Sequence, residues 1–189
     1  MYYSLGPNVY IMVGVPGSGK STVAKELSEQ NGAIILSSDS IRKELYGDEN
    51  IQGDGRFVFK TLFERANNAI SNGFDIIIDA TNVDRKARKN VFKSLKGEFN
   101  ATAVFVDTDI NECLRRNNLR ERVVPEEIIM KFYNRLTIPE KSEGFSNVII
   151  WSERNKEKFE KKNVEKKELE YAIMTSSTTS SDDFHSVSY

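Results

Sequence analysis

The stretch "GVPGSGKST", Gly14 to Thr22, leaves the apolar run "VYIMV" directly, and it constrains the fold of this chain more than any other feature. Glycines at 14, 17 and 19 let successive backbone N–H groups turn toward one anion, because glycine reaches backbone angles that a Cβ forbids. The helix expected from about Lys20 offers its positive N-terminal end to the same anion. Strand, glycine loop and helix in that order read as a cradle for the phosphates of ATP or GTP. Its expected nucleotide contacts are Gly14, Pro16, Gly17, Ser18, Gly19, Lys20, Ser21 and Thr22. Lys20 is placed to reach the β- and γ-phosphates, and the Ser21 hydroxyl to ligate Mg²⁺.

Such a cradle needs a sheet behind it, and the rest of the chain supplies one. Five runs rich in β-branched residues, at 9–15, 33–38, 74–80, 102–107 and 147–151, are continuously apolar rather than alternating. That is the pattern of parallel strands covered on both faces. Helical stripes lie between them: Val23, Ala24 and Leu27; Phe59, Leu62, Phe63, Ala66 and Ile70; and Ala87, Val91, Phe92 and Leu95 after the N-cap candidate Asp84. Pro125 before "EEII" marks a further helix start, with Pro at the first position and acids in the first turn. The alternation predicts a three-layer α/β fold with a mostly parallel five-stranded sheet. With 189 residues the chain fits one such domain over 1–152. The charged stretch 153–171 is expected as an exposed helix or solvated linker, and the Ser/Thr-rich 172–189 as a disordered tail. Residues 46–56, "YGDENIQGDGR", read as a mobile polar loop.

Asp79, ending the buried run "FDIIID", either holds the Mg²⁺ through a water or caps the turn in "DATN". After the second strand, "SSDSIR" puts Asp39 at the strand's carboxyl end and Arg42 three residues on, toward the same space. In an open parallel sheet that edge is where ligands bind. Asp39 is either an N-cap or the base that takes a proton from an attacking hydroxyl, with Arg42 on the acceptor's own phosphate. The only histidine is His185, in the tail, so a base in the folded part must be a carboxylate or, failing that, a lysine or tyrosine.

"CLRRNNLRERVVPEE" packs Arg115, Arg116, Arg120 and Arg122 into eight residues, with nothing acidic between Cys113 and Arg120. This is the composition of a closing lid near 115–125 that neutralises charge on a transferred phosphoryl group, or else of a solvated surface or of arginines that grip only the donor's phosphates. "DTDIN" looks like the start of an aspartate-nucleophile phosphatase, but Asn111 stands where Thr or Val belongs. Asp109 is instead expected to cap the helix carrying Ile110, Cys113 and Leu114.

Together, "GVPGSGKST", "LSSDSIR", "IIIDATN" and "RRNNLRERVVPEEII" resemble the 5′-hydroxyl kinase domain of polynucleotide kinases, the bacteriophage and bacterial end-repair type, over roughly 8–151. The resemblance implies ATP-dependent transfer of the γ-phosphate to a 5′-hydroxyl end of RNA or DNA. It makes Asp39 the general base and Arg42 the ligand of the 3′-phosphate of the terminal nucleotide. Arg116, Arg120 and Arg122 then contact the donor phosphates and the transition state, and Asp79–Asn82, with Thr81 and Asn82, lies by the acceptor. Mg²⁺ is the implied cofactor. A small-molecule or nucleoside kinase would use the same parts, and a non-catalytic nucleotide switch would leave Asp39 and Arg42 without work.

The net charge of −1 excludes a chain that coats nucleic acid generally and predicts a footprint of one or two nucleotides, with "RKARK" (85–89) tracking the strand. A lone cysteine, Cys113, and an amino end without a cationic patch before an apolar stretch predict a cytoplasmic protein with no membrane segment.

Overall fold

In the computed structural model, residues 6–47, 53–120 and 123–152 are described, so Arg122 and the segments expected at 153–171 and 172–189 lie outside them. The chain divides after Ile150.

Strands β1 (Asn8–Val13), β2 (Ile34–Ser37), β3 (Ile76–Asp79), β4 (Asn100–Val106) and β5 (Asn147–Trp151) form one sheet in the order β2-β3-β1-β4-β5. The pairings of β1 with β3 and β4, and of β2 with β3, are parallel. Helices α1 (Lys20–Asn31), α2 (Ser38–Tyr46), α3 (Gly55–Ser71), α4 (Arg85–Ser94), α5 (Ile110–Asn117) and α6 (Glu126–Tyr133) complete the three layers. This is the predicted fold class. The chain leaves β1 toward β2 and later crosses from β3 to β4, so β1 stands at the switch point, where α/β sheets open a crevice.

Ile76, Ile77 and Ile78 of β3 have no exposed surface, as a strand flanked on both edges and both faces requires. Each such side chain contributes about 1.5–3 kcal/mol on burial. Val58, Leu62, Ala66 and Ile70 of α3 close on Val9, Ile11, Ile76 and Ile78. On α1, the buried residues are Lys20, Val23, Ala24 and Leu27. Strand β2 departs from expectation. It is the edge strand, and Ile34 and Ile35 are 41% and 36% exposed rather than covered on both faces.

The caps follow the local sequence. Asp84 accepts from the Ala87 N–H and starts α4, and Asp109 accepts from Asn111 to start α5. Pro125 stands at the N-cap of α6, one position earlier than the sequence implied. The N-cap of α2 is Ser37, whose hydroxyl accepts from the Ser40 N–H. That releases Asp39 from the capping role, since it is the second residue of the helix. No helix among the described residues is long and apolar enough to cross a membrane.

Candidate active site

The glycine loop is held from beneath by groups distant in sequence. The Gly14 N–H donates to Thr81 O at 3.0 Å, and the Thr108 hydroxyl donates to Ser18 O at 2.8 Å. Gly17 has φ +81°, and a Cβ there would lie 2.2 Å from the Cys113 carbonyl oxygen. Only glycine fits that approach. Gly19 (φ 94°) caps α1 in the left-handed conformation and supplies no side chain to the helix end. That leaves the positive end of α1 facing the loop, which suits an anion.

The Lys20 ammonium is buried and donates to Val15 O at 2.8 Å. Burial pushes its pKa down to about 8, with Arg120 adding to the lowering, while the Asp79 and Asp39 carboxylates pull it up. The Ser21 hydroxyl donates to Asp79 Oδ2 at 2.8 Å. Asp79 ends β3 in register with Ser37 at the end of β2, and Ser38 donates to the Asp79 carbonyl at 3.4 Å. A serine hydroxyl and a carboxylate beside a phosphate cradle are hard oxygen donors of the kind Mg²⁺ takes, so these two residues fit that ion.

Two cavities open from this point. One, of about 190 Å³, is lined by Gly17, Gly19, Lys20, Ser21, Thr22, Arg116 and Arg120. The other, of about 290 Å³, has Lys20, Ser21, Asp39, Arg42, Asp79, Thr81 and Arg120 on its polar side. Lys20, Ser21 and Arg120 line both. The lining of the larger cavity also has an apolar part: Phe59 of α3, Val124, and Ile128 and Phe132 of α6. Phe59 is backed by the Phe63 ring, with centroids 6.2 Å apart.

Most residues singled out in the sequence therefore converge. Pro16 joins them on the larger cavity. Ser18 is buried, with its hydroxyl near Gly14, and lines neither cavity. Asn82 does not reach the cavities either. It is buried at φ 42°, and its side-chain amide donates to Met12 O and Ala80 O, so it shapes the turn that carries Thr81. The arginine cluster is more balanced than the sequence implied. Glu112, one residue before the stretch read as free of acids, accepts from Arg115 at 2.7 Å and from Arg116 at 2.6 Å. The Arg115 and then the Arg116 hydrogen bonds hold its carboxyl down to about 2.

In the "RKARK" segment Arg85, Lys86 and Lys89 are exposed, while the second arginine is turned inward. Arg88 is fully buried against Glu143, and Arg85 pairs with Glu140. The apolar part of the lining was missed because Phe59 belongs to a helical stripe that reads as core. Its place in the cavity lining depends on where α3 lies over the sheet.

A phosphate loop at the switch point, a buried lysine and a Ser–Asp pair facing a second cavity define the P-loop kinase fold. A family model described as AAA domain matches residues 9–139, and the chain belongs to that family. Over 141 residues the chain is 29% identical to the L-seryl-tRNA(Sec) kinase of Methanococcus maripaludis, covering 68% of this chain and 52% of that protein. It thus spans about half the length of that curated relative. Among solved structures, a chain of the Pnkp1/Rnl/Hen1 RNA repair complex is similar with a TM-score of 0.63 at 21% identity, over 69% of this chain and 44% of that one. A sugar kinase from Janibacter sp. HTCC2649 is similar with a TM-score of 0.58 at 21% identity, over 79% and 86% of the two chains. At these identities the likeness of the solved structures is one of fold.

Proposed function

We propose that this chain transfers the γ-phosphate of ATP to a 5′-hydroxyl end of RNA or DNA. The observation that carries the reading is the larger cavity, whose lining combines Asp39, Arg42 and Arg120 with the aromatic Phe59 and Phe132. A nucleotide has both characters, a phosphate for the arginine and a flat base for the aromatic side. A bare polyol would leave those aromatics unused and lacks the charge for Arg42.

In this reading the donor phosphates lie in the smaller cavity, on the loop N–H groups, Lys20 and Arg116. Ser21 and Asp79 would hold Mg²⁺, which would supply neutralisation of the phosphate charge. Lys20 and Arg120, on the seam between the cavities, face the phosphoryl group as it moves. Asp39 orients the acceptor hydroxyl and takes its proton. The new bond joins that oxygen to the γ-phosphorus, the bond to the β–γ bridging oxygen breaks, and ADP leaves. Arg42 binds the phosphate on the 3′ side of the accepting nucleotide, which accounts for a short footprint. Arg122 is proposed as a further lid residue.

The similarity to an L-seryl-tRNA(Sec) kinase favours one second reading, in which the accepting hydroxyl is a seryl group at the end of a tRNA. Both readings are tested by incubating the protein with γ-labelled ATP and Mg²⁺. The acceptors are 5′-hydroxyl RNA, 5′-hydroxyl DNA, a nucleoside 3′-monophosphate, a free nucleoside, gluconate and seryl-tRNA. Label on the oligonucleotides and the 3′-monophosphate supports the first reading. Label confined to seryl-tRNA selects the second, and label confined to gluconate or the free nucleoside overturns both.

A further inference from the structure

Arg88 is a charged side chain with no exposed surface. It lies on α4, outside both cavities, yet its guanidinium makes six hydrogen bonds to three separate segments. Nε and Nη2 donate to the two oxygens of Glu143 at 2.7 and 2.8 Å. Nη1 donates to the carbonyls of Asn82 and Val83 at 3.2 Å each and of Thr137 at 3.0 Å. Nη2 also reaches the Thr137 hydroxyl at 3.0 Å. The planar fork suits this use, since it fills several fixed acceptors at once where a lysine would fill fewer.

The segments it joins flank the larger cavity. Asn82 and Val83 belong to the turn after β3, whose Thr81 lines that cavity and whose Thr81 carbonyl takes the Gly14 N–H of the phosphate loop. Thr137 follows α6, the helix that brings Ile128 and Phe132 to the lining. The Thr137 N–H donates to Val83 O at 2.9 Å, and Arg135 pairs with Asp84. One buried guanidinium thus ties the turn that carries Thr81 to the trailing end of the helix that carries Ile128 and Phe132.

We propose that Arg88, held by Glu143, is a positioning residue that sets the spacing between the Ala80–Asp84 turn and α6, and so the width of the larger cavity. It touches neither substrate. A buried ion pair is weak evidence for a stabilising role, because apolar replacement of both partners is often neutral for stability. Its multiple backbone acceptors point to geometry instead. The effect on catalysis rests on reading this cavity as the acceptor site.

The test compares the unsubstituted protein with the double variant Arg88→Met/Glu143→Leu, and with Arg88→Lys as a second variant that keeps the charge. Thermal melting, site-resolved amide exchange and the two KM values are measured. The expected result is a near-native melting temperature with faster exchange at the Gly14 and Thr137 amides and no change along the β1–β4 ladder. The acceptor KM rises tenfold to a hundredfold, roughly as a displacement of about 1 Å would cause, while the KM for ATP stays within about twofold. Unchanged exchange at Gly14 and Thr137 would overturn the proposal. So would parallel loosening of the whole sheet with both KM values rising together. If the exchange result is as expected but the unsubstituted protein labels no acceptor, the clamp stands and the acceptor assignment falls.

Discussion

The Ser21 hydroxyl donates to Asp79 Oδ2 at 2.8 Å, joining the start of α1 to the end of β3 across 58 residues of sequence. The contact places an oxygen pair where the two cavities meet, since Ser21 lines both and Asp79 lines the larger. Asp79→Asn is expected to raise the Mg²⁺ concentration needed for half-maximal turnover and to lower turnover by roughly tenfold to a hundredfold. Titrating activity against Mg²⁺ checks this, and an unchanged Mg²⁺ curve would detach Asp79 from the ion.

Lys20 carries a pH signature. With its pKa pushed down to about 8, the lysine is partly neutral in mildly alkaline solution, before any phosphate is present. Nucleotide affinity should therefore fall as pH rises, by about tenfold per unit well above pH 8. Bound phosphate raises the lysine's pKa again, so ADP binding at pH 8.5 should take up a proton, read by calorimetry in buffers of different ionisation enthalpy. For folding the sign is opposite. Between about 8 and 10.5 the unfolded chain holds the proton that the folded chain has lost, so this group makes the fold more stable as pH rises through that window.

Gly17 tolerates no side chain. Alanine there would put a Cβ 2.2 Å from a backbone oxygen at φ +81°, adding a left-handed penalty of about 1–2 kcal/mol to a clash that only backbone movement relieves. Gly17→Ala should abolish ADP binding measured by calorimetry, whereas Gly32→Ala, with nothing within 4 Å of the added atom, should leave it intact.

Glu112 holds Arg116 beside the phosphate loop, where the guanidinium stands 3.5 Å from the site of a Gly19 Cβ. Arg116→Ala should raise the KM for ATP by about tenfold, the scale of one charge-assisted hydrogen bond. Glu112→Ala should raise it less, because it removes the anchor and leaves the charge. Steady-state kinetics with ATP varied at fixed acceptor separates the two.

The phosphate cradle was legible in the sequence because its requirements are local: glycines at fixed offsets, then lysine and serine on the next helix. The sheet was legible for a similar reason, since "IIID" and "VYIMV" are continuously apolar runs of the kind that central parallel strands need. Three features were not. The exposure of Ile34 and Ile35 depends on strand order, which no single strand encodes. The pairing of Arg88 with Glu143 spans 55 residues, so "RKARK" read as a surface when one of its arginines is the most enclosed charge among the described residues. Asn82 looked like an acceptor contact from its place in "DATN", but its amide serves the turn itself.

The central claim is that Asp39 and the donor phosphates meet across the seam lined by Lys20, Ser21 and Arg120. The most direct measurement is single-turnover transfer of γ-labelled phosphate to a 5′-hydroxyl RNA by Asp39→Asn, with ADP affinity determined on the same preparation. The account predicts transfer slowed by about 10²–10⁴-fold with ADP affinity unchanged. Transfer at the unsubstituted rate would contradict it, and so would a loss of ADP affinity matching the loss of rate.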